Sequence, residues 1–153
     1  MHSRAYMHKG VYCLLFRNDA CRATIGALGE REFLPGWHCY TGSARGPGGL
    51  RRVRRHAALR KHGGPRHWHV DHLLLHPAFT LVCAICAVTD EDLECILASR
   101  IRGTPVPGFG SSDCGCGSHL FYFPYDPTDD VQAVFRKLGV APAITTIKSK
   151  KNQ

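Results

Sequence analysis

Arg52 and His56 stand four residues apart in the run RRVRRH, so on a helix they share one face. There a guanidinium can clamp a phosphate through two hydrogen bonds, and an imidazole can move protons near neutral pH. Tyr12, in GVYCLLF, and Tyr40, in WHCYTGS, sit in β-rich runs. On paired strands their hydroxyls can meet in one cleft, as donors or as bases acting through water. Phosphate chemistry on that set still needs a divalent cation and an oxygen to hold it. Asp90, Glu91 and Asp92 fall in the first turn of a predicted helix, where capping and the helix dipole already account for acids. Glu94 lies one turn in, beside the apolar arc of Leu93, Leu97 and Ile101, where an ionised carboxylate has no packing reason to be. Glu94 is therefore the candidate metal ligand, and a single carboxylate suits one ion, Mg²⁺ or Mn²⁺, rather than two.

Two further clusters could bind metal. In HWHVDHLLLH, His69, His72 and His76 share a helical face with Asp71 nearby. Such histidines more commonly line a cleft wall or pack with an aromatic, here Trp68, so His69 is read as a phosphate or substrate contact. In DCGCGSH, Cys114, Cys116 and His119 offer three zinc ligands, and zinc wants a fourth. Cys83 and Cys86 lie three apart on a predicted strand and point to opposite faces, so at most one could join. Without zinc, Ser112 and Asp113 would bond to backbone in a tight loop. Cys13, Cys39, Cys83, Cys86 and Cys95 sit among apolar residues and are expected as small core side chains.

These groups need elements to position them. GVYCLLF reads as a strand, ATIGALGEREFLPGWHCYTGS as strand pieces broken at Gly26, Gly29 and the Pro35-Gly36 turn, and FTLVCAICAVT as a buried strand. A helix runs from Leu50 to about Lys61, with Leu50, Val53 and Ala57 at helical spacing. A short helix stops before Pro77, and another is capped by Thr89 with Asp92 three residues on. GTPVPGFGSSDCGCGSH is a long glycine-rich loop, LFYFPY a final strand, and PTDDVQAVFRKLG a terminal helix. Residues 1–143 are expected to form one α+β domain and residues 144–153 a loose basic tail.

Between Phe33 and Val70 there is no Asp or Glu, while Arg45, Arg51, Arg52, Arg54, Arg55, Arg60, Lys61 and Arg66 all fall there. Those eight equal the whole net charge of +8. A surplus confined to one segment points to a polyanionic partner, whereas a merely solvated helix face would intersperse acids. No apolar run approaches the roughly 20 residues that span a bilayer, and the N-terminus lacks the apolar stretch of a signal peptide. The expectation is an intracellular protein, cytoplasmic or nucleoid-associated and without a membrane partner, whose eight cysteines are reduced thiols or metal ligands rather than disulfides.

The ordered set of GVY, then YTG with Ser43-Ala44, then a helix carrying Arg52 and His56, then a glutamate-bearing helix behind a buried strand resembles the GIY-YIG nuclease superfamily. LPGWHCYTGSA, HWHVDHLL and PGFGSSDCGCGSHLFYF make the chain similar to its Uri-type branch, over residues 9–123. The resemblance implies a small, largely antiparallel sheet flanked by helices, and a metal-dependent endonuclease acting on nucleic acid, DNA rather than RNA. It makes Tyr12 the general base or the hydroxyl that orients the nucleophile, with Tyr40 assisting. Arg52 would stabilise the pentavalent phosphate, His56 would position or protonate, and Glu94 would hold the metal. Gly42, Ser43, Arg51, Arg55 and His69 are the expected substrate contacts. Thr41 departs from the aliphatic residue usual there, and the 27 residues between Tyr12 and Tyr40 imply an extra hairpin. Two other functions fit the same residues: a nucleic-acid-binding module that does not cut, and a zinc-stabilised interaction domain.

Overall fold

The computed structural model describes residues 8–46, 48–111 and 115–147. In chain order the elements are β1 (Gly10–Asn18), β2 (Cys21–Thr24), β3 (Glu30–Phe33), β4 (Gly36–Ala44), α1 (Arg51–His62), α2 (His69–Leu74), β5 (Phe79–Val88), α3 (Glu94–Arg100), β6 (Thr104–Pro105), β7 (Leu120–Phe123), α4 (Thr128–Lys137) and β8 (Ala143–Thr146). All of β1 except Arg17 is buried, as a strand covered on both faces must be. It pairs with β4 on one side and β5 on the other, within a six-stranded sheet of order β6-β7-β4-β1-β5-β8. Every pairing in it is antiparallel, which is the α+β architecture that the sequence suggests.

Strand alternation divides the core in two. Tyr12, Leu14 and Phe16 face Leu50 and Val53 at α1 and Val70, Leu73 and Leu74 of α2. Val11, Cys13 and Leu15 face Leu97 and Ala98 of α3 and Val131 and Phe135 of α4. The expected extra hairpin is β2 paired with β3 as a separate two-stranded sheet, and Ala23, Ile25 and Phe33 anchor it in the first core.

Three expectations need correction. The third helix begins at Glu94, not at Thr89. Thr89 Oγ1 accepts the Glu91 N–H (3.1 Å), a local turn that competes with helical bonding. Glu94 therefore stands at the helix start and not one turn in. Cys95 is exposed rather than a core side chain, because it follows Glu94 on the outer side of that helix. The segment from 144 is not loose throughout. Ala143–Thr146 pair with Cys83–Cys86, and Ile147 N–H donates to the Val82 carbonyl (2.9 Å). That run covers backbone groups that β5 would otherwise present as an edge; residues 148–153 lie outside the described residues.

Gly10 shows how closely the layers meet. A Cβ there would stand 2.9 Å from Leu50 Cδ1 and nearer still to the Ala87 carbonyl oxygen. Gly10→Ala should therefore push β1 away from β5 and the start of α1, at a cost of about 1–3 kcal/mol. Urea unfolding would show this as a lower midpoint at unchanged slope. An unmoved midpoint would mean that the layers are less tightly fitted than described.

Candidate active site

Tyr12 lies near the start of β1 and Tyr40 in the middle of its antiparallel partner β4, two residues before the position opposite Tyr12, so the two side chains reach the same cleft. There a cleft of about 310 Å³ is lined by Tyr12, Tyr40, Ser43, Arg52, His56 and Glu94. Arg45, Gly46, Trp68 and Gly110 complete its walls. Residues far apart in sequence thus meet through sheet register and the packing of α1 and α3.

Gly42 is directly opposite Tyr12 across the β1/β4 pair. A Cβ at position 42 would sit 2.7 Å from Tyr12 Cε1 and closer still to Cζ. The glycine of YTG therefore makes room for the tyrosine of GVY.

Tyr12 is buried, and its hydroxyl lies 2.9 Å from His56 Nε2. Beyond the imidazole stands Asp71, fully buried, with Oδ1 at 3.9 Å from His56 Nδ1. Asp71 Oδ2 accepts the backbone N–H groups of His67 (2.7 Å) and Trp68 (3.0 Å), which fixes the carboxylate at the start of α2. Among the described residues, His56 Nδ1 and Asp71 Oδ1 are the buried side-chain atoms without a hydrogen-bond partner. A carboxylate only accepts, so the imidazole proton belongs on Nδ1, and Nε2 accepts from the Tyr12 O–H. Tyr12 and His56 are thus hydrogen-bonded, and Asp71 stands 3.9 Å beyond on the far side of the imidazole.

Burial shifts these groups strongly. It pushes the Tyr12 hydroxyl well above its ordinary range, helped by Tyr40 and Glu94 and opposed by Arg52. Tyr40 is likewise raised, by burial first and Glu94 second. Burial lowers His56 to about 4 despite the pull of Asp71, with Arg55 and Arg52 adding to the drop. At neutral pH the cleft therefore holds two protonated phenols and a neutral imidazole.

Arg52 is half-buried, donates from Nη1 to the Ser43 carbonyl (2.7 Å) and lies 5.1 Å from the Trp68 ring centroid. Arg55 covers the same ring at 4.4 Å. Arg51 is exposed and donates to the Gly48 carbonyl outside the cleft. His69 backs the cleft instead of lining it: Nδ1 accepts the Gly110 N–H at 2.8 Å, and the ring packs on Phe109. Among the described residues His69, His72 and His76 form no metal cluster, in keeping with the reading of these histidines as packing and wall residues. His76 takes the Ala78 N–H on Nδ1 and sets Nε2 against the Arg22 carbonyl, while Asp71 is held by backbone.

Glu94 Oε2 lies 3.4 Å from Nδ1 of buried His119, and that nitrogen is 2.8 Å from Thr41 Oγ1. The hydroxyl at the unusual position 41 thus orients His119. Ligand atoms of Cys95, Cys116 and His119 all lie within 4.8 Å of one another, a group that could hold a metal ion. Neither Cys83 nor Cys86 joins them, since both are buried within the sheet; Cys114 lies outside the described residues.

The domain of unknown function DUF123 matches residues 11–140 of the chain. The chain belongs to the DUF123 family. No curated protein and no solved structure matches it. The matched span of this DUF123 chain contains every residue of the cleft. No helix among its described residues is long and apolar enough to cross a membrane.

Sequence reasoning missed Asp71 as the support of His56, Trp68 as a cleft wall and Cys95 as a member of the sulfur cluster. The first acid after the acid-free segment, set among the apolar Val70, Leu73 and Leu74, was the available signal for Asp71. For Trp68 it was an aromatic among basic residues.

The lowered pKa of His56, and of His38, which burial also brings to about 4, sets an acid limit on stability. The unfolded chain binds a proton at each near pH 6.5 and the folded chain only near 4, so stability is lost as pH falls between those values. Each histidine should cost about 2 kcal/mol at pH 5 relative to pH 7. Urea midpoints should fall over that range, and less steeply in His38→Gln. A flat profile would contradict the buried neutral histidines.

Proposed function

We propose that the chain is a divalent-metal-dependent endonuclease of the GIY-YIG type, Uri-like branch, that hydrolyses phosphodiester bonds of nucleic acid, with DNA the preferred substrate by the same resemblance. One observation carries the reading. Tyr12, Tyr40, Arg52, His56 and Glu94, singled out by residue type and motif order, line one cleft beneath an acid-free basic segment.

Glu94 offers a half-buried carboxylate oxygen at the cleft edge, a donor that suits Mg²⁺ or Mn²⁺. A divalent ion there would supply Lewis-acid stabilisation of charge on the phosphate oxygens. The chain's own groups do the rest. Burial keeps Tyr12 protonated, so its oxygen accepts from the attacking water while its O–H points to His56 Nε2. As the water loses its proton to Tyr12, Tyr12 passes one to His56. The nearby Asp71 carboxylate then stabilises the imidazolium. Arg52, held by the Ser43 carbonyl and beside the Trp68 ring, presents its guanidinium to the pentavalent phosphate. Tyr40 donates to the same group from the far wall. Exposed Arg51 and Arg55 add backbone attraction without base recognition.

Labelled DNA and RNA forms incubated with Mg²⁺ or Mn²⁺ provide the test. Cleavage should depend on metal, vanish in Glu94→Ala and fall about a hundredfold or more in Tyr12→Phe and in Arg52→Ala. If all three variants cut as well as the parent, the assignment is wrong. Salt-sensitive binding with no cutting in any metal would instead make the chain a non-cleaving nucleic-acid module. In either case Arg55→Ala should reduce the logarithmic salt slope of binding by about one.

A further inference from the structure

We propose that Cys95, Cys116 and His119 form a zinc site that ties the start of α3 to the loop ahead of β7. The site stands apart from the nuclease reading and holds whether or not the cleft cuts.

Three features of the local structure carry it. Two thiols and an imidazole from two separate segments converge within 4.8 Å of one another. Tetrahedral zinc with sulfur ligands sets neighbouring donors about 3.8 Å apart, so closing the site takes movements of about 1 Å. Soft sulfur with imidazole selects zinc over the hard ion suited to Glu94.

The imidazole is also aimed. His119 is buried, and its Nδ1 is engaged by Thr41 Oγ1 at 2.8 Å. The hydroxyl fixes the ring as the outer partner that metal-binding histidines ordinarily have, and Glu94 Oε2 stands 3.4 Å from the same nitrogen.

The described residues around Cys116 and His119 are tied down by the chain itself. His119 N–H donates to the Phe109 carbonyl (2.8 Å) and Gly108 N–H to the Gly117 carbonyl (2.8 Å). Ser118 Oγ accepts the Leu120 N–H at 2.9 Å, which fixes the turn between Cys116 and His119. Ion binding releases the thiol protons, and the two thiolates neutralise Zn²⁺, so the site adds no net charge beside the cleft. Water or one further donor takes the fourth position. Because Cys95 follows Glu94 directly, the ion also fixes the backbone that presents Glu94 to the cleft.

The full chain, purified without chelator, should carry close to one zinc per molecule by elemental analysis. Stripping the metal should lower Tm by about 5 °C or more, and adding zinc back should restore it. Cys95→Ser and Cys116→Ser should each lose the zinc, whereas Cys21→Ser, remote from the cluster, should keep it. If a serine variant fails to fold, Co²⁺ loaded into the stripped parent should give thiolate charge-transfer and tetrahedral absorption bands. Absence of zinc with no Tm response to added zinc would overturn the site. So would retention of zinc by Cys95→Ser, or a Cys95–Cys116 disulfide in metal-free protein, which would make the pair redox-active instead.

Discussion

The Tyr12 hydroxyl meets His56 Nε2 across 44 positions of sequence, at the buried floor of the cleft. Much of the architecture serves that contact. Tyr12 must sit on a central strand, directly opposite a residue with no side chain, which is Gly42. His56 must lie on the face of α1 that also carries Val53 into the core. Asp71 must come from α2, with its second oxygen already spent on two backbone N–H groups. A buried carboxylate oxygen held 3.9 Å from its imidazole, beyond hydrogen-bond reach, is costly to maintain.

Around that relay the electrostatics divide cleanly. The basic side chains of the acid-free segment lie on and beside α1, and Arg52 and Arg55 both stack on Trp68, which remains 39 % exposed. Glu94 enters from the opposite layer of the molecule, on α3. The cleft therefore has a cationic wall and an anionic lip, an arrangement that can attract a polyanion and still keep a carboxylate for a cation. The sulfur cluster lies behind that lip, joined to it by His119 and Thr41.

The strands, the inserted hairpin, the terminal helix and the cleft residues were legible because they carry local signals: β-rich apolar runs, glycine and proline punctuation, and motifs of fixed order. What escaped was set by contacts between distant segments. The start of α3 depends on Thr89 capturing a backbone N–H rather than capping a helix. Pairing of β8 depends on an open edge of β5, which AITT does not announce. Cys95 reads as a core residue by its neighbours and becomes exposed only once the helix start shifts. His69 looked like a ligand contact, but it is occupied by the Gly110 backbone 41 residues away. Thr41 looked like a defect in a motif, and its hydroxyl instead orients His119.

The central claim is that a buried relay from Tyr12 through His56 to Asp71 drives phosphodiester cleavage. Single-turnover cleavage by Asp71→Asn tests it most directly, because asparagine can keep the backbone N–H bonds while turning a donor toward His56 Nδ1. That exchange favours the wrong tautomer without emptying the site. The account predicts a rate at least about a hundredfold below the parent, with nucleic-acid affinity and melting temperature little changed. A variant that cuts as fast as the parent, or a parent that binds and never cuts, would contradict it.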